Sequence, residues 1–155
     1  MDSDVTARDS VYGRTELHRA SKNGETDTVK RQLEKGADVT ARDDGGRTPL
    51  IWASQEGKTE VVKLLLEWCS DIDARSNYNW TALIYASYNG HTDTVRVLVE
   101  KGADLNAKNN IGQTAADRAN NQEIKQILQR GKHWIWFIRI VTHIDKIICC
   151  YLQVQ

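Results

Sequence analysis

Apolar residues recur along this chain with two spacings, one nested in the other. Over short range they fall three and four apart, as Val62, Leu65 and Leu66 do, which places them on one buried stripe of a helix. Over long range the same positions return every 33 residues: Leu17, Leu50 and Leu83; Ala20, Ala53 and Ala86; Val29, Val62 and Val95. The polar and turn residues keep the same step: Thr15, Thr48 and Thr81; Gly24, Gly57 and Gly90; Gly13, Gly46 and, as asparagine, Asn79. A fixed period of this length is the signature of a stacked repeat.

Each unit has its own physical reading. A glycine turn leads to a threonine that can cap a helix and, in one copy, to Pro49 at the first helical position. The glycine at 24, 57 or 90 ends that helix as a left-handed residue would. A second helix follows, and then a polar return containing Asp and Ala. The pattern predicts helices near 15–23, 26–35, 48–56, 59–68, 81–89, 92–101, 114–120 and 122–130. One such pair cannot bury its apolar side alone, so neighbouring pairs must stack.

The run Gly46-Arg47-Thr48-Pro49-Leu50, followed by Ala53, Gly57 and Val61–Leu66, resembles the ankyrin repeat, and Lys101–Ala107 resembles its end. The resemblance covers about residues 9–131. It implies an all-α solenoid of stacked helix–turn–helix units with β-turn fingers. Four repeats are expected, at 9–42, 43–75, 76–108 and 109–131. A leader at 1–8 precedes them: Asp4–Asp9 repeats the pattern of Asp38–Asp43, as if it closed a preceding repeat or served as a strand-like finger. The spacing there is 34, which puts one inserted residue before Gly13.

Several positions depart from the family pattern. Glu16, Ala82 and Ala115 stand where repeat two has Pro49, and the family's histidine survives only as His18. Cys69 occupies a place where glycine is preferred, so a left-handed residue there is expected to be strained by about 1 kcal/mol. Repeat four lacks residues between Ala119 and Ile124, which shortens its first helix. Arg31, Gln32 and Gln126 replace apolar residues of the inner repeats and read as polar capping of the two ends.

Composition changes at residues 132–155. As a membrane span this tail fails: Arg139, Asp145 and Lys146 would each cost about 2.5–3.5 kcal/mol, against about 0.3–0.6 returned by each apolar residue. As a helix it is amphipathic, with Phe137, Ile140, Val141, Ile144, Ile148 and Tyr151 on one side. It reads as a helix packed on the last repeat, as an interface helix for a partner or membrane, or as a tail without a packed role. Residues 134–141 also carry β propensity.

The remaining chemistry narrows the function. The 21 basic and 21 acidic residues balance, which argues against a nucleic-acid binder driven by phosphate neutralisation. Three cysteines (Cys69, Cys149, Cys150) and no visible secretory segment suggest a reducing compartment without a disulfide framework, hence the cytoplasm, with the nucleus also open. His18, His91, His133 and His143 have no metal-ligand spacing, the glycines form no phosphate loop, and no nucleophile motif is present. No enzyme activity, cofactor or metal is expected.

The family resemblance implies that a partner protein meets the finger tips and the concave face of the first helices. Those positions are Tyr12, Arg14, Arg19, Lys22 and Asn23 in repeat one, and Asp44, Arg47, Trp52, Gln55 and Glu56 in repeat two. Repeat three offers Asn77, Tyr78, Trp80, Tyr85, Tyr88 and Asn89, and repeat four Ile111 and Gln113. Aromatic residues and arginine dominate this set, as they do in binding hot spots. The bland alternative is packing between neighbouring fingers, with Trp52 and Tyr85 stacked as scaffold. The expected module is a monomeric adaptor for a protein partner; anchoring through the tail at a membrane or assembly is the less favoured alternative. Asn106 lies in a context that resembles the acceptor site of asparaginyl hydroxylases acting on ankyrin repeats, with Thr40 and Asp73 at the equivalent places. The favoured reading is that this asparagine simply bonds across the return and braces it, as short polar side chains do in turns.

Overall fold

The computed structural model describes residues 4–131. Helices run in pairs: α1 (Glu16–Asn23) with α2 (Thr26–Glu34), α3 (Pro49–Gln55) with α4 (Thr59–Glu67), α5 (Ala82–Asn89) with α6 (Thr92–Glu100), and α7 (Ala115–Arg118) with a last helix, α8, described over 122–131. The first helix of each pair starts one residue later than its threonine, because the threonine is the cap. Thr48, Thr81 and Thr114 are extended, and their side chains accept from the backbone N–H three residues on. Gly24 and Gly90 close α1 and α5 in the left-handed conformation, at φ 79° and 78°.

The helices form two layers. The inner layer is α1, α3, α5 and α7, each packed on the next; in the outer layer α2 packs on α4 and α4 on α6. Between them lies one continuous core, in which Leu17, Leu50, Leu65, Leu83, Leu98, Ile124 and Leu128 are sealed from solvent. Ala20, Ala53 and Ala86 are fully buried, which lets successive inner helices approach closely.

A hairpin-like finger precedes each inner helix. It is closed by a backbone bond from Asp9 to Arg14, Asp43 to Arg47, Ser76 to Trp80, and Asn109 to Gln113. The first closure spans one residue more, matching the insertion before Gly13. No β-sheet forms among the described residues; the nearest approach is a single antiparallel bridge between Arg8 and Thr15. The fingers are tied to one another instead. Backbone N–H groups of Asp44, Asn77 and Asn110 donate to the carbonyls of Tyr12, Gly45 and Tyr78, at 3.0, 2.9 and 3.1 Å. The guanidiniums of Arg8, Arg42 and Arg75 donate to the carbonyls of Arg42, Arg75 and Lys108. Arg8 gives the leader the first place in that ladder.

Two residues other than glycine take the left-handed region, Asn79 at φ 58° and Cys69 at φ 59°. Cys69 replaces Gly36 and Gly102 of the neighbouring units, both left-handed, so the expected strain falls there. Cys69 is disulfide-bonded, where the sequence had pointed to no disulfide framework.

Gln32 differs from expectation. It is buried, at 6 % exposure, and its Oε1 has no hydrogen-bond partner. It lies beside the leader, whose residues line a groove shared with α2, so only Arg31 and Gln126 point to solvent as capping residues. Helix α7 is also shorter than predicted. Ala119 is already extended at ψ 122°, and Asn121 Oδ1 accepts from Ile124 N at 2.9 Å to start α8. The amphipathic tail 132–155 lies outside the described residues. Among those residues no helix is long and apolar enough to cross a membrane.

Candidate partner-binding face

Stacking at a 33-residue step brings equivalent side chains into rows across the inner helices and fingers. One row is Arg14, Arg47, Trp80 and Gln113; the next is Arg19, Trp52, Tyr85 and Arg118; a third begins Lys22, Gln55, Tyr88. The finger tips carry Tyr12, Gly45, Tyr78 and Ile111. The rows differ in chemistry from one end of the stack to the other. The first two repeats bring cations around one indole, and the third brings aromatics together.

The first cluster is built on Asp43. Its side chain is fully buried at the base of the second finger. One carboxylate oxygen accepts from Arg47 N at 2.8 Å; the other accepts from Arg47 Nε at 3.2 Å and from Trp52 Nε1 at 2.9 Å. The Arg47 guanidinium is thereby laid over the indole, 3.8 Å from the ring centroid. Arg14 approaches the same ring to 5.5 Å and Lys22 to 5.1 Å, while Arg14 also covers Tyr12 at 4.3 Å. Arg14 is oriented by Asp9, with Nε at 3.1 Å from the carboxylate.

His18 holds the backbone of the same finger. Its Nδ1 accepts from Thr15 N–H at 3.1 Å, so the ring proton sits on Nε2, which donates to the Arg47 carbonyl at 3.0 Å. The ring is fully buried, and burial pushes its pKa below the ordinary histidine value. Asp43 and His18 therefore fix Arg47 at both its side chain and its carbonyl.

Trp52 was expected on the contact surface. It is only 5 % exposed, so it serves as the platform on which Arg14, Lys22 and Arg47 rest. It does not stack on Tyr85. Tyr85 packs on Trp80 of its own repeat instead, with centroids 4.8 Å apart. Trp80 meets Tyr88 edge-on at 5.6 Å, and Arg118 covers both, at 5.4 Å from Trp80 and 4.4 Å from Tyr88. Arg118 was not among the expected residues. The signal was present in its place in the Arg19–Trp52–Tyr85–Arg118 row, which runs into the shortened repeat.

The other expected residues fall as follows. Tyr12, Tyr78 and Tyr88 are 51 %, 65 % and 48 % exposed. Arg19 stands apart from the cation cluster, bound to Glu16 and Glu25, which raise its pKa; its hydrogen bonds in turn hold Glu25 down to about 2. Asn106 is exposed in the return. Its backbone N–H donates to Asp104 Oδ1 at 2.9 Å, so Asp104 braces this turn, as Asp38 does at Thr40. No group of three or more potential metal ligands is found among the described residues.

A search of curated proteins finds no match to this chain. The family model for ankyrin repeats, in a form covering three copies, matches residues 17–109. That match takes in more than half of the chain, over the helix pairs and fingers just described, and the chain belongs to the ankyrin-repeat family.

Proposed function

We propose that the protein is an adaptor that binds a partner protein across its inner-helix face and finger tips. Ankyrin repeats are generally protein–protein interaction modules and typically lack catalytic activity. The observation that carries the reading is where exposed apolar surface lies. The large hydrophobic residues exposed among the described residues are Val11, Tyr12, Tyr78, Tyr88 and Ile111. Four are at finger tips and the fifth is in α5; the outer helices contribute none. Exposed aromatics gathered on one side, backed by oriented arginines, are the usual material of hot spots.

In this reading Tyr12, Tyr78 and Tyr88 make the contacts. Arg14, Arg47, Trp80 and Tyr85 shape the floor, Trp52 supports it, and Arg19 forms the rim. The test is capture of interacting proteins by the full chain against Tyr78→Ala/Tyr88→Ala. Both tyrosines are exposed, so the double variant should keep its fold by circular dichroism. Loss of specific captured proteins is expected. An unchanged set of captured proteins would place the binding surface elsewhere.

A further inference from the structure

We infer that the partner segment is an acidic peptide, bound with a carboxylate over repeats one and two and an apolar side chain over repeat three. The inference rests on the adaptor reading above and adds the chemistry of the ligand. Three cationic groups lie within 5.5 Å of one ring centroid, that of Trp52. Arg14 and Arg47 each turn Nε toward a carboxylate behind them, Asp9 and Asp43. Their terminal nitrogens make no hydrogen bond among the described residues, and neither does Lys22 Nζ. The cluster thus holds oriented donors with no acceptor among the described residues. Guanidinium forks of this kind match the two oxygens of a carboxylate.

Charge selects a carboxylate over a phosphate. Three cations, Arg14, Lys22 and Arg47, are opposed within the cluster by Asp9 and Asp43, and Asp44 sets its carboxylate against Gly13, the neighbour of Arg14. Beside these carboxylates a singly charged carboxylate ligand meets less like-charge repulsion than a phosphate dianion does. Further along the same face the cations give way to Trp80, Tyr85 and Tyr88, with Arg118 laid over the rings. Helices α3 and α5 pack side by side, so the cationic and aromatic regions form one surface. The polarity of that surface sets the direction in which a segment can lie.

Random dodecapeptides displayed on phage and selected on the full chain test this directly. Selected sequences should be enriched in Asp or Glu and in a large apolar residue at a fixed offset. Synthetic copies should bind Lys22→Glu about tenfold more weakly, a typical effect of reversing one contact charge. Lys22→Gln should show a smaller loss, and the outer-helix variant Lys63→Gln none. Peptides that require Tyr88 but show no acidic preference would overturn the carboxylate assignment and leave the adaptor reading standing. So would tighter binding when phosphoserine replaces the acidic residue. Failure to select any peptide, or binding indifferent to both Lys22 and Tyr88, would remove the inference and the adaptor reading together.

Discussion

The indole N–H of Trp52 donates to the buried carboxylate of Asp43 at 2.9 Å, across nine residues of sequence. That bond joins the base of a finger to the middle of the inner helix that follows it. It also decides the role of Trp52, since an indole tied from below offers its upper face to cations and little of itself to solvent.

Asp43→Ala should therefore destabilise the fold by about 2–3 kcal/mol, because it leaves the buried Trp52 N–H without its acceptor and removes the group that orients Arg47. Asp43→Asn should cost less, since its amide oxygen still accepts. Urea titration followed by tryptophan emission reads both. A loss below about 0.5 kcal/mol for the alanine variant would show that water replaces the carboxylate.

Leu65 is fully buried between repeats. Leu65→Ala should cost about 2–5 kcal/mol by removing apolar contact and leaving a cavity. Ile127, only partly buried near the end of the stack, should cost less when cut to alanine. Equal losses would mean that the end of the array is as tightly packed as its middle.

Cys69→Gly, compared with wild type in reductant so that only the backbone differs, should be stabilising by up to about 1 kcal/mol. Its φ of 59° is left-handed, where glycine meets no Cβ penalty. Asn79→Gly should gain less, because asparagine tolerates this region. A clear loss for Cys69→Gly would mean that side-chain packing outweighs the backbone term.

His18 is held neutral by burial, so its folded pKa lies below the unfolded value near 6.5. Between those two values the unfolded chain binds more protons, and stability rises with pH. His18 thus contributes stability that is present above about pH 6.5 and lost progressively as pH falls toward the folded pKa. Thermal midpoints from pH 7.5 to 5 should fall for the wild type and flatten for His18→Gln, which keeps an acceptor for Thr15 N–H. Parallel curves would assign the pH dependence to other groups.

Asn106 is exposed, and its side chain forms no hydrogen bond among the described residues, so the amide is open to an enzyme. Incubation with an active asparaginyl hydroxylase should add one oxygen to the peptide containing it, read by mass spectrometry. An unmodified peptide beside a modified control substrate would exclude the site.

The helix pairs were legible in the sequence because their causes are local or strictly periodic. A threonine cap acts within three residues, a left-handed glycine acts at its own bond, and an apolar stripe acts along one helix. Copied every 33 residues, those signals gave the helix bounds to within a residue or two in the first three repeats, and they marked the left-handed strain at Cys69. The candidate face was legible only as a list of positions.

What each position does was decided by contacts between repeats, and no local pattern encodes them. Trp52 became a platform because Asp43 needed a donor and Arg47, Arg14 and Lys22 came from two successive units to cover it. Tyr85, its counterpart one step on, has Trp80 in place of Arg47 and packs on that ring. Gln32, read as a solvent cap, is buried beside the leader, a neighbour that periodicity did not set against it. Arg118 joined the aromatic cluster through the packing of α7 on α5. Periodicity determines which residues are equivalent; the neighbour each one meets, and so its burial, charge partner and accessibility, is set only when the units stack.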